Sequence, residues 1–191
     1  MCLAGAFVTP NGVLLFTDNQ GAVSDNPKPK SQEDVLKSIL STFDVGSKII
    51  QLNTHGALAW GASDAPSKYF IPVEVEKTGH STDPDTLIEI AGLWGMLATY
   101  TEDGLKLYAL AEGRYEEIEY ETWGLYIQTV PYFWDEIYAL IRRHIEESGE
   151  HGGELITALR AALREAHELC PIVGNILHAA LITGEGYKCI A

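Results

Sequence analysis

Cysteine at position 2, together with an acid at 18 and a lysine at 48, is the set of residues in this sequence best suited to chemistry. Once Met1 is removed, Cys2 offers a thiol next to a free α-amine. The reference pKa of an α-amine is about 7.7–8.0, so at neutral pH a useful fraction can accept the thiol proton. The sequence therefore predicts that Cys2 acts as an N-terminal nucleophile.

A thiol nucleophile also needs a cation, a carboxylate and a donor for the oxyanion. Cysteine is nucleophilic even with a few per cent of thiolate, and a nearby cation raises that fraction. Lys48 is the candidate cation, Asp18 is the carboxylate that would hold it, and Gly61 is the candidate for the backbone N–H. Loss of one oxyanion donor typically lowers the rate by roughly 10²–10³. These residue types, in this order, predict covalent catalysis by Cys2.

A predicted β-hairpin brings Asp18 back beside Cys2. The apolar runs 1–9 and 13–17 flank a turn at 10–12 that contains Asn-Gly, and this pattern is typical of a tight hairpin. The first run is too apolar for a half-exposed edge strand, so we expect it to be buried on both faces. Asp18 then ends the returning strand, close to the start of the chain.

A second predicted strand pair carries Lys48 and Gly61. Residues 48–52 and 57–60 are apolar runs on either side of the polar turn 53–56. Lys48 opens the first of these strands, and Gly61 ends the second.

The rest of the chain predicts an α+β layered fold with mainly antiparallel sheets, because strand pairs are followed by helices and then by a last strand pair. Apolar spacing and capping residues predict helices over 31–43, 83–92, 133–148 and 155–166. A further short helix is predicted to begin at a cap, Ser63 or Asp64, and to run to about residue 70. Strands are predicted over 96–100, 105–110, 115–120, 175–183 and 187–191, and a loop over 21–30. At 191 residues we expect one domain over 1–191.

Composition excludes several classes of partner. The net charge of -14, from 13 basic and 27 acidic residues, argues against nucleic acid and anionic membrane surfaces. No run of 18 apolar residues predicts a membrane span, and the start of the chain lacks the pattern of a signal peptide. We therefore expect a cytoplasmic protein.

The cysteines and histidines predict neither a metal site nor a disulfide framework. Cys2, Cys170 and Cys189 are far apart, and the six histidines lack ligand spacing. We expect no metal or cofactor, and we expect Cys170 and Cys189 to be core thiols.

The motifs around these candidate residues resemble the β-type subunits of proteasomes and their bacterial relatives, which are N-terminal nucleophile (Ntn) hydrolases. Cys2 stands in place of the family's threonine, and Asp18 follows sixteen residues later. The matching segments are "NGVLLFTDN" with Asp18, "SKIIQL" with Lys48, "GALAWGASDA" with Gly61, and the C-terminal "GNILHAALITGEGYKCI". The resemblance covers most of the order of elements, and its specific motifs lie in the first third of the chain.

This resemblance implies a four-layer αββα sandwich of two mainly antiparallel sheets, cleavage or transfer at amide bonds, and assembly into a homo-oligomer. It makes Cys2 the nucleophile and its amine the base, with Asp18 and Lys48 tuning both. It places Gly61 at the oxyanion position and lets Thr129 stand for the family's supporting serine.

The expected activity is that of an N-terminal-cysteine amidohydrolase or peptidase acting on a peptide or a small amide. A glutamine-type amidohydrolase is a variant of this hypothesis, because N-terminal cysteine is common in that class. The bile-acid and penicillin acylases of the superfamily rank lower, because the chain is short for them. The alternative from another class is a non-catalytic module for assembly or binding that keeps Met1.

Overall fold

Antiparallel strand pairs and five helices make up the described fold, which is α+β. The computed structural model describes residues 3–25, 29–62, 67–111, 113–149 and 152–191. The strands in chain order are β1 (Ala4–Thr9), β2 (Gly12–Asp18), β3 (Gln20–Ser24), β4 (Ile39–Asp44), β5 (Ile49–Asn53), β6 (Gly56–Ala62), β7 (Leu93–Thr101), β8 (Gly104–Ala111), β9 (Arg114–Glu117), β10 (Leu125–Gln128), β11 (Leu177–Thr183) and β12 (Gly186–Cys189). The helices are α1 (Gln32–Lys37), α2 (Ser67–Lys77), α3 (Pro84–Leu87), α4 (Trp134–Glu147) and α5 (Gly152–Leu169).

Two five-stranded sheets and one small ribbon account for these strands. The first sheet has the spatial order β10-β1-β2-β11-β12, and the second has the order β5-β6-β7-β8-β9. All neighbouring strands in both sheets are antiparallel. β3 and β4 form the separate two-stranded ribbon. β1 and β2 are central strands of the first sheet, so both of their faces are covered and nearly every residue in them is buried.

Three apolar clusters hold the sheets and helices together. One joins the first sheet to α4 and α5, through residues such as Phe7, Phe16 and Ile141. A second contains side chains of both five-stranded sheets, which therefore pack face to face. A third joins the second sheet to α2 and α3, through residues such as Ile71 and Leu87.

Small residues let the two sheets approach closely. The shared cluster contains Ala4 and Ala6 of β1 facing the second sheet, and Ala57 and Ala59 of β6 facing the first. Because successive side chains of a strand alternate between its faces, the other face of β1 carries larger side chains such as Phe7 against the helices.

Most of the predicted elements are confirmed. The first hairpin, the pair on either side of the turn 53–56, the hairpin of β7 and β8, the helices α4 and α5 and the closing hairpin all form where the apolar spacing predicts them. Asp83 caps α3 as expected, because its side chain accepts from the N–H of Asp85. The predicted helix caps Ser63 and Asp64 lie outside the described residues.

The predicted helix over 31–43 is wrong beyond its first turns. Ser31 does cap a helix, and its hydroxyl accepts from the N–H of Asp34, but α1 ends at Lys37. The residues of β4 form a strand because they pair with β3, which overlaps the predicted loop over 21–30. Phe43 packs over Gly21 in this ribbon, where a β-carbon would lie 2.5 Å from its ring. Pairing with a distant segment therefore overrides local helical spacing.

The structure adds two elements that were not predicted and corrects one expectation. The stretch 72–81, left without a prediction, continues α2 to Lys77 with Pro72 inside the helix. The strand β10 has no counterpart among the predicted elements. Cys170 is buried as expected, whereas Cys189 is exposed at the end of the edge strand β12 and is not a core thiol.

Within the part of the chain that the structure describes, no helix has the length and apolar character needed to cross a lipid bilayer.

Candidate functional site

Asp18 and Lys48 form an ion pair that is sealed from solvent. Asp18 ends β2 and is 0% exposed, and Lys48 immediately precedes β5 and is 1% exposed. The lysine Nζ donates to Asp18 Oδ1. Removing two charges from water is costly, and a buried pair is tolerated only when further hydrogen bonds satisfy its remaining groups. Asp18 and Lys48 are in direct contact, as the sequence predicts.

Three described backbone groups form hydrogen bonds with this pair. Asp18 Oδ1 accepts from the N–H of Leu3 at 3.1 Å, and Asp18 Oδ2 accepts from the N–H of Gly174 at 2.6 Å. Lys48 Nζ also donates to the carbonyl oxygen of Gln20 at 3.1 Å. Both carboxylate oxygens thus have donors, and the pair links the start of β1, the end of β2 and the segment before β11.

The pair is hydrogen-bonded to the residue that follows the candidate nucleophile. The nitrogen of Leu3, which donates to Asp18, is the atom bonded to the carbonyl carbon of Cys2. Cys2 and Met1 themselves lie outside the described residues. The carboxylate is therefore attached to the main chain one peptide bond away from the predicted nucleophile.

Gly61 is brought close to the pair through the backbone. The N–H of Trp60 donates to the carbonyl oxygen of Lys48 at 2.9 Å, so Gly61 follows directly on the residue that pairs with Lys48. Successive residues of an antiparallel strand direct their N–H groups to opposite sides. The N–H of Gly61 is thus directed to its partner Trp94 on β7, and the N–H of Ala62 is directed to the side of Lys48. The oxyanion role of Gly61 stays a prediction. The backbone N–H directed to the side of Lys48 is that of its neighbour Ala62.

The absence of a side chain at Gly61 has a packing reason. A β-carbon there would lie 2.1 Å from the ring of Trp94, which covers the glycine on the face shared by the two sheets. Such a contact is shorter than any real β-carbon makes, so the indole ring requires glycine at this position.

Buried hydroxyl and amide oxygens without partners surround the first residues of β1. One row of the first sheet places Gln128, Ala4, Thr17 and His178 side by side on four strands. Gln128 Oε1 and Thr17 Oγ1 are buried and make no hydrogen bond to any described residue. Thr129 follows Gln128, and its buried Oγ1 also has no partner within the described chain. Unpartnered buried polar atoms are rare, and they are often explained by function or by bound water.

Thr129, the candidate for the family's supporting serine, follows Gln128 at the end of β10. The pairing of β1 with β10 ends at Ala4 and Gln128. If the same register continued, Thr129 would lie opposite Leu3. Its side chain has no bond that fixes it among the described residues. A supporting role for its hydroxyl stays a prediction.

His178 is a titratable neighbour of this row, and it is one of the six histidines whose spacing predicts no metal site. It lies opposite Thr17 in the strand register, on the side facing the second sheet. Partial burial lowers the pKa of His178, the charge of Asp44 opposes that shift, and the charge of Lys48 adds to it. His178 is thus kept neutral more readily than a solvated histidine, near the charges of the buried pair.

Gly174 and Gln20 are the other neighbours that sequence reasoning does not assign to the site. Gly174 contributes a backbone N–H, and a β-carbon there would lie 2.3 Å from Asn19 Oδ1. Gln20 contributes a carbonyl oxygen. Backbone groups leave no signature in residue type, so a glycine ahead of a predicted strand was the only available signal.

Metal binding finds no support in the described residues, because no three His, Cys, Asp or Glu side chains among them could hold an ion together. Comparison with known proteins adds no family, because no protein-family model and no curated protein matches this chain. Fold and site geometry are therefore the basis for a functional proposal.

Proposed function

We propose that this chain is an N-terminal-cysteine hydrolase of the Ntn type, an amidohydrolase or a peptidase that acts through Cys2 after removal of Met1. Its fold in this proposal is the four-layer αββα sandwich of the proteasome β type. The buried pair of Asp18 and Lys48, bonded through Leu3 N to the residue after Cys2, is the observation that carries the proposal.

The packing of the chain supports this fold assignment. One cluster places α4 and α5 on the outer face of the first sheet, and another places α2 and α3 on the second sheet. The shared cluster joins the two sheets. Helices, sheet, sheet and helices in this order are what an αββα sandwich requires.

The geometry also supports the chemistry. A fully buried lysine is costly unless it is paired, so its burial here favours a functional cation near the predicted nucleophile. Cysteine chemistry benefits from a nearby cation, because the cation favours the thiolate. Asp18 holds the lysine and at the same time holds the main chain at Leu3.

In the proposed reaction the α-amine of Cys2 accepts the thiol proton, and the sulfur attacks the carbonyl carbon of the amide. Backbone N–H groups near Gly61 stabilise the resulting oxyanion. The carbon–nitrogen bond then breaks, the amine leaves with the transferred proton, and a thioester remains on Cys2. Water adds to the thioester, which releases a carboxylic acid and restores the thiol.

Cytoplasmic location and self-assembly belong to the same proposal. The exposed thiol of Cys189 fits a reducing compartment. Large apolar side chains such as Leu40 and Phe70, which are 64% and 55% exposed, favour burial against another copy of the chain.

Thiol labelling tests the proposal directly. The protein from its native host is first weighed intact, and a mass lower by one methionine is expected. It is then treated with a peptide that carries a thiol-reactive electrophile, in a Cys189→Ser background that removes the exposed competing thiol. Labelling at Cys2 is expected to exceed labelling at the buried Cys170 and to fall strongly in Lys48→Ala.

Matched variants separate the site from the fold. Lys106→Ala removes an exposed lysine whose partner is Glu117, and it should leave the labelling of Cys2 unchanged. A mass that includes Met1, or labelling of Cys2 that ignores Lys48 in a folded variant, would contradict the hydrolase proposal. The chain would then be assigned to the non-catalytic assembly or binding modules of the same fold.

A further inference from the structure

A cleft of about 660 Å³ opens along the outer edge of β10, and neither Asp18 nor Lys48 lines it. Its walls are β10 on one side and residues 116–119, at the end of β9 and just after it, on the other. The aromatic side chains of Trp134 and Tyr138 on α4 line it as well. The cleft therefore lies between the edge strands of the two five-stranded sheets.

The wall formed by β10 is a strand edge at one end of the first sheet. Among the described strands, β10 pairs with β1 alone. Val8 N–H donates to the carbonyl oxygen of Gly124 at 2.9 Å, and the alternation of antiparallel bonds then directs the backbone groups of Leu125 and Ile127 away from β1. Trp134 Nε1 donates to the carbonyl oxygen of Ile127 at 3.1 Å, which agrees with that direction. Such an edge is a template for an added strand.

The opposite wall is acidic. Glu116, Glu117 and Glu119 line the cleft and are exposed. Glu117 is paired with Lys106 at 2.7 Å, whereas Glu116 and Glu119 have no basic partner among the described residues. The unpaired carboxylates favour a ligand that brings positive charge.

Aromatic rings and a buried amide add two further recognition groups. The rings of Trp134 and Tyr138 are stacked, with centroids 5.0 Å apart and an interplanar angle of 12°. Trp134 remains 43% exposed although it stacks on Tyr138, so its indole is accessible to a guanidinium or ammonium group. Gln128 Oε1 lines the same cleft, is buried and makes no hydrogen bond to any described residue.

We propose that this cleft binds an extended peptide that carries arginine or lysine side chains. The peptide backbone adds a strand to β10, and the basic side chains meet the glutamates and the stacked rings. Gln128 also lies beside Ala4 in the row described above, but Asp18, Lys48, Gly61 and Thr129 do not line the cleft. The inference therefore does not depend on the hydrolase proposal.

Fluorescence anisotropy with a labelled, terminally blocked pentapeptide of alternating valine and arginine tests this inference on the full chain. The Glu116→Gln and Glu119→Gln double variant keeps the shape of the cleft and should weaken binding by about two- to thirtyfold at low salt. The control is the Glu76→Gln and Glu89→Gln double variant. It changes the net charge equally, through exposed glutamates on the helix side of the second sheet, and should bind like the wild type.

A second pair of probes tests the strand addition. The same peptide with N-methylated backbone amides keeps its charges but lacks the donors, and it should bind much more weakly. Equal loss in both double variants would overturn the assignment to this cleft. The proposal of an added strand would be overturned if the N-methylated peptide bound as tightly as the unmodified peptide. It would also be overturned if spermine, which carries charge but no peptide backbone, bound as tightly as the peptide.

Discussion

The main-chain N–H of Gly174 donates to Asp18 Oδ2 at 2.6 Å, although the two residues are 156 positions apart in the sequence. The other oxygen of the same carboxylate accepts from Leu3 N–H and from the buried ammonium of Lys48. One side chain therefore connects the first strand, the second strand and the segment that enters β11. Changes to the backbone at Gly174 should reach the start of β1 through this carboxylate.

Gly174→Ala should destabilise the protein, because the new β-carbon would lie 2.3 Å from Asn19 Oδ1 and 3.0 Å from the nitrogen of Gln20. Overpacking of this kind typically costs about 1–3 kcal/mol. Urea unfolding followed by circular dichroism measures the change. Gly184→Ala is the matched control, because the nearest atom to its new β-carbon is 4.0 Å away. Equal midpoints for the two variants would show that the segment before β11 yields without cost.

Lys48→Met should lower the free energy of unfolding by about 3–5 kcal/mol, because it leaves the buried carboxylate of Asp18 without its cation. The control Lys106→Met removes an exposed pair with Glu117 and should cost less than about 1 kcal/mol. Chemical denaturation in urea gives both values.

A double-mutant cycle of Lys48→Met and Asp18→Asn separates coupling from general damage. The two residues are in contact, so the effects should not add, and the coupling should reach roughly 0.5–3 kcal/mol. Additive effects would contradict the pairing.

The same variants also report on function. If the pair is purely structural, its variants should reduce labelling of Cys2 only as far as they unfold the chain.

Gly61→Ala should destabilise the second sheet, because the added methyl group would lie 2.1 Å from the ring of Trp94. A second substitution, Trp94→Leu, removes the ring and should restore part of the stability lost. Thermal unfolding of the single and double variants measures this rescue. If the double variant is no more stable than the sum of the single effects predicts, the contact with Trp94 is not the reason for glycine at this position.

The rescue also bears on the proposed oxyanion role. Both alanine and glycine keep the backbone N–H, so a refolded double variant should keep labelling of Cys2 if only that donor matters. Labelling that stays low in a stable double variant would assign a chemical role to the close packing around Gly61.

The contact of Asp18 with Lys48 was predicted from residue chemistry, because a thiol nucleophile calls for a cation and for a carboxylate to hold it, and from the strand ends at which both residues lie. The Asn-Gly turn returns the second strand beside the first, and Lys48 opens a strand in the next pair. Apolar runs and turn residues report this order reliably. The same signals predict the helices α4 and α5, whose buried residues recur at helical spacing.

The rest of the site could not be read from residue types. The bond from Gly174 comes from the backbone, and no pattern in the sequence joins it to an acid 156 positions earlier. The ribbon of β3 and β4 depends on pairing between segments whose local spacing indicates a loop and a helix. The row that places His178 beside Thr17 depends on strand register, which one residue of slip would change.

His178 should make stability depend on pH, because partial burial lowers its pKa in the folded chain. In the unfolded chain its pKa returns to about 6.5, so below that pH the unfolded state binds more protons than the folded state. The contribution of His178 to stability is therefore complete above about pH 6.5 and is lost as the pH falls toward the folded pKa. The charges of Asp44 and Asp18 oppose the shift, and the charge of Lys48 reinforces it.

His178→Asn should flatten the fall in stability below about pH 6.5, because asparagine binds no proton in that range. Urea unfolding at a series of pH values between 5 and 8 measures the slope for the wild type and the variant. His80→Asn is the control: His80 is exposed, and asparagine tolerates the positive φ of 56° at that position. Its profile should follow the wild type. A slope that persists in His178→Asn and disappears in His80→Asn would assign the pH dependence to the surface and not to the neighbourhood of the buried pair.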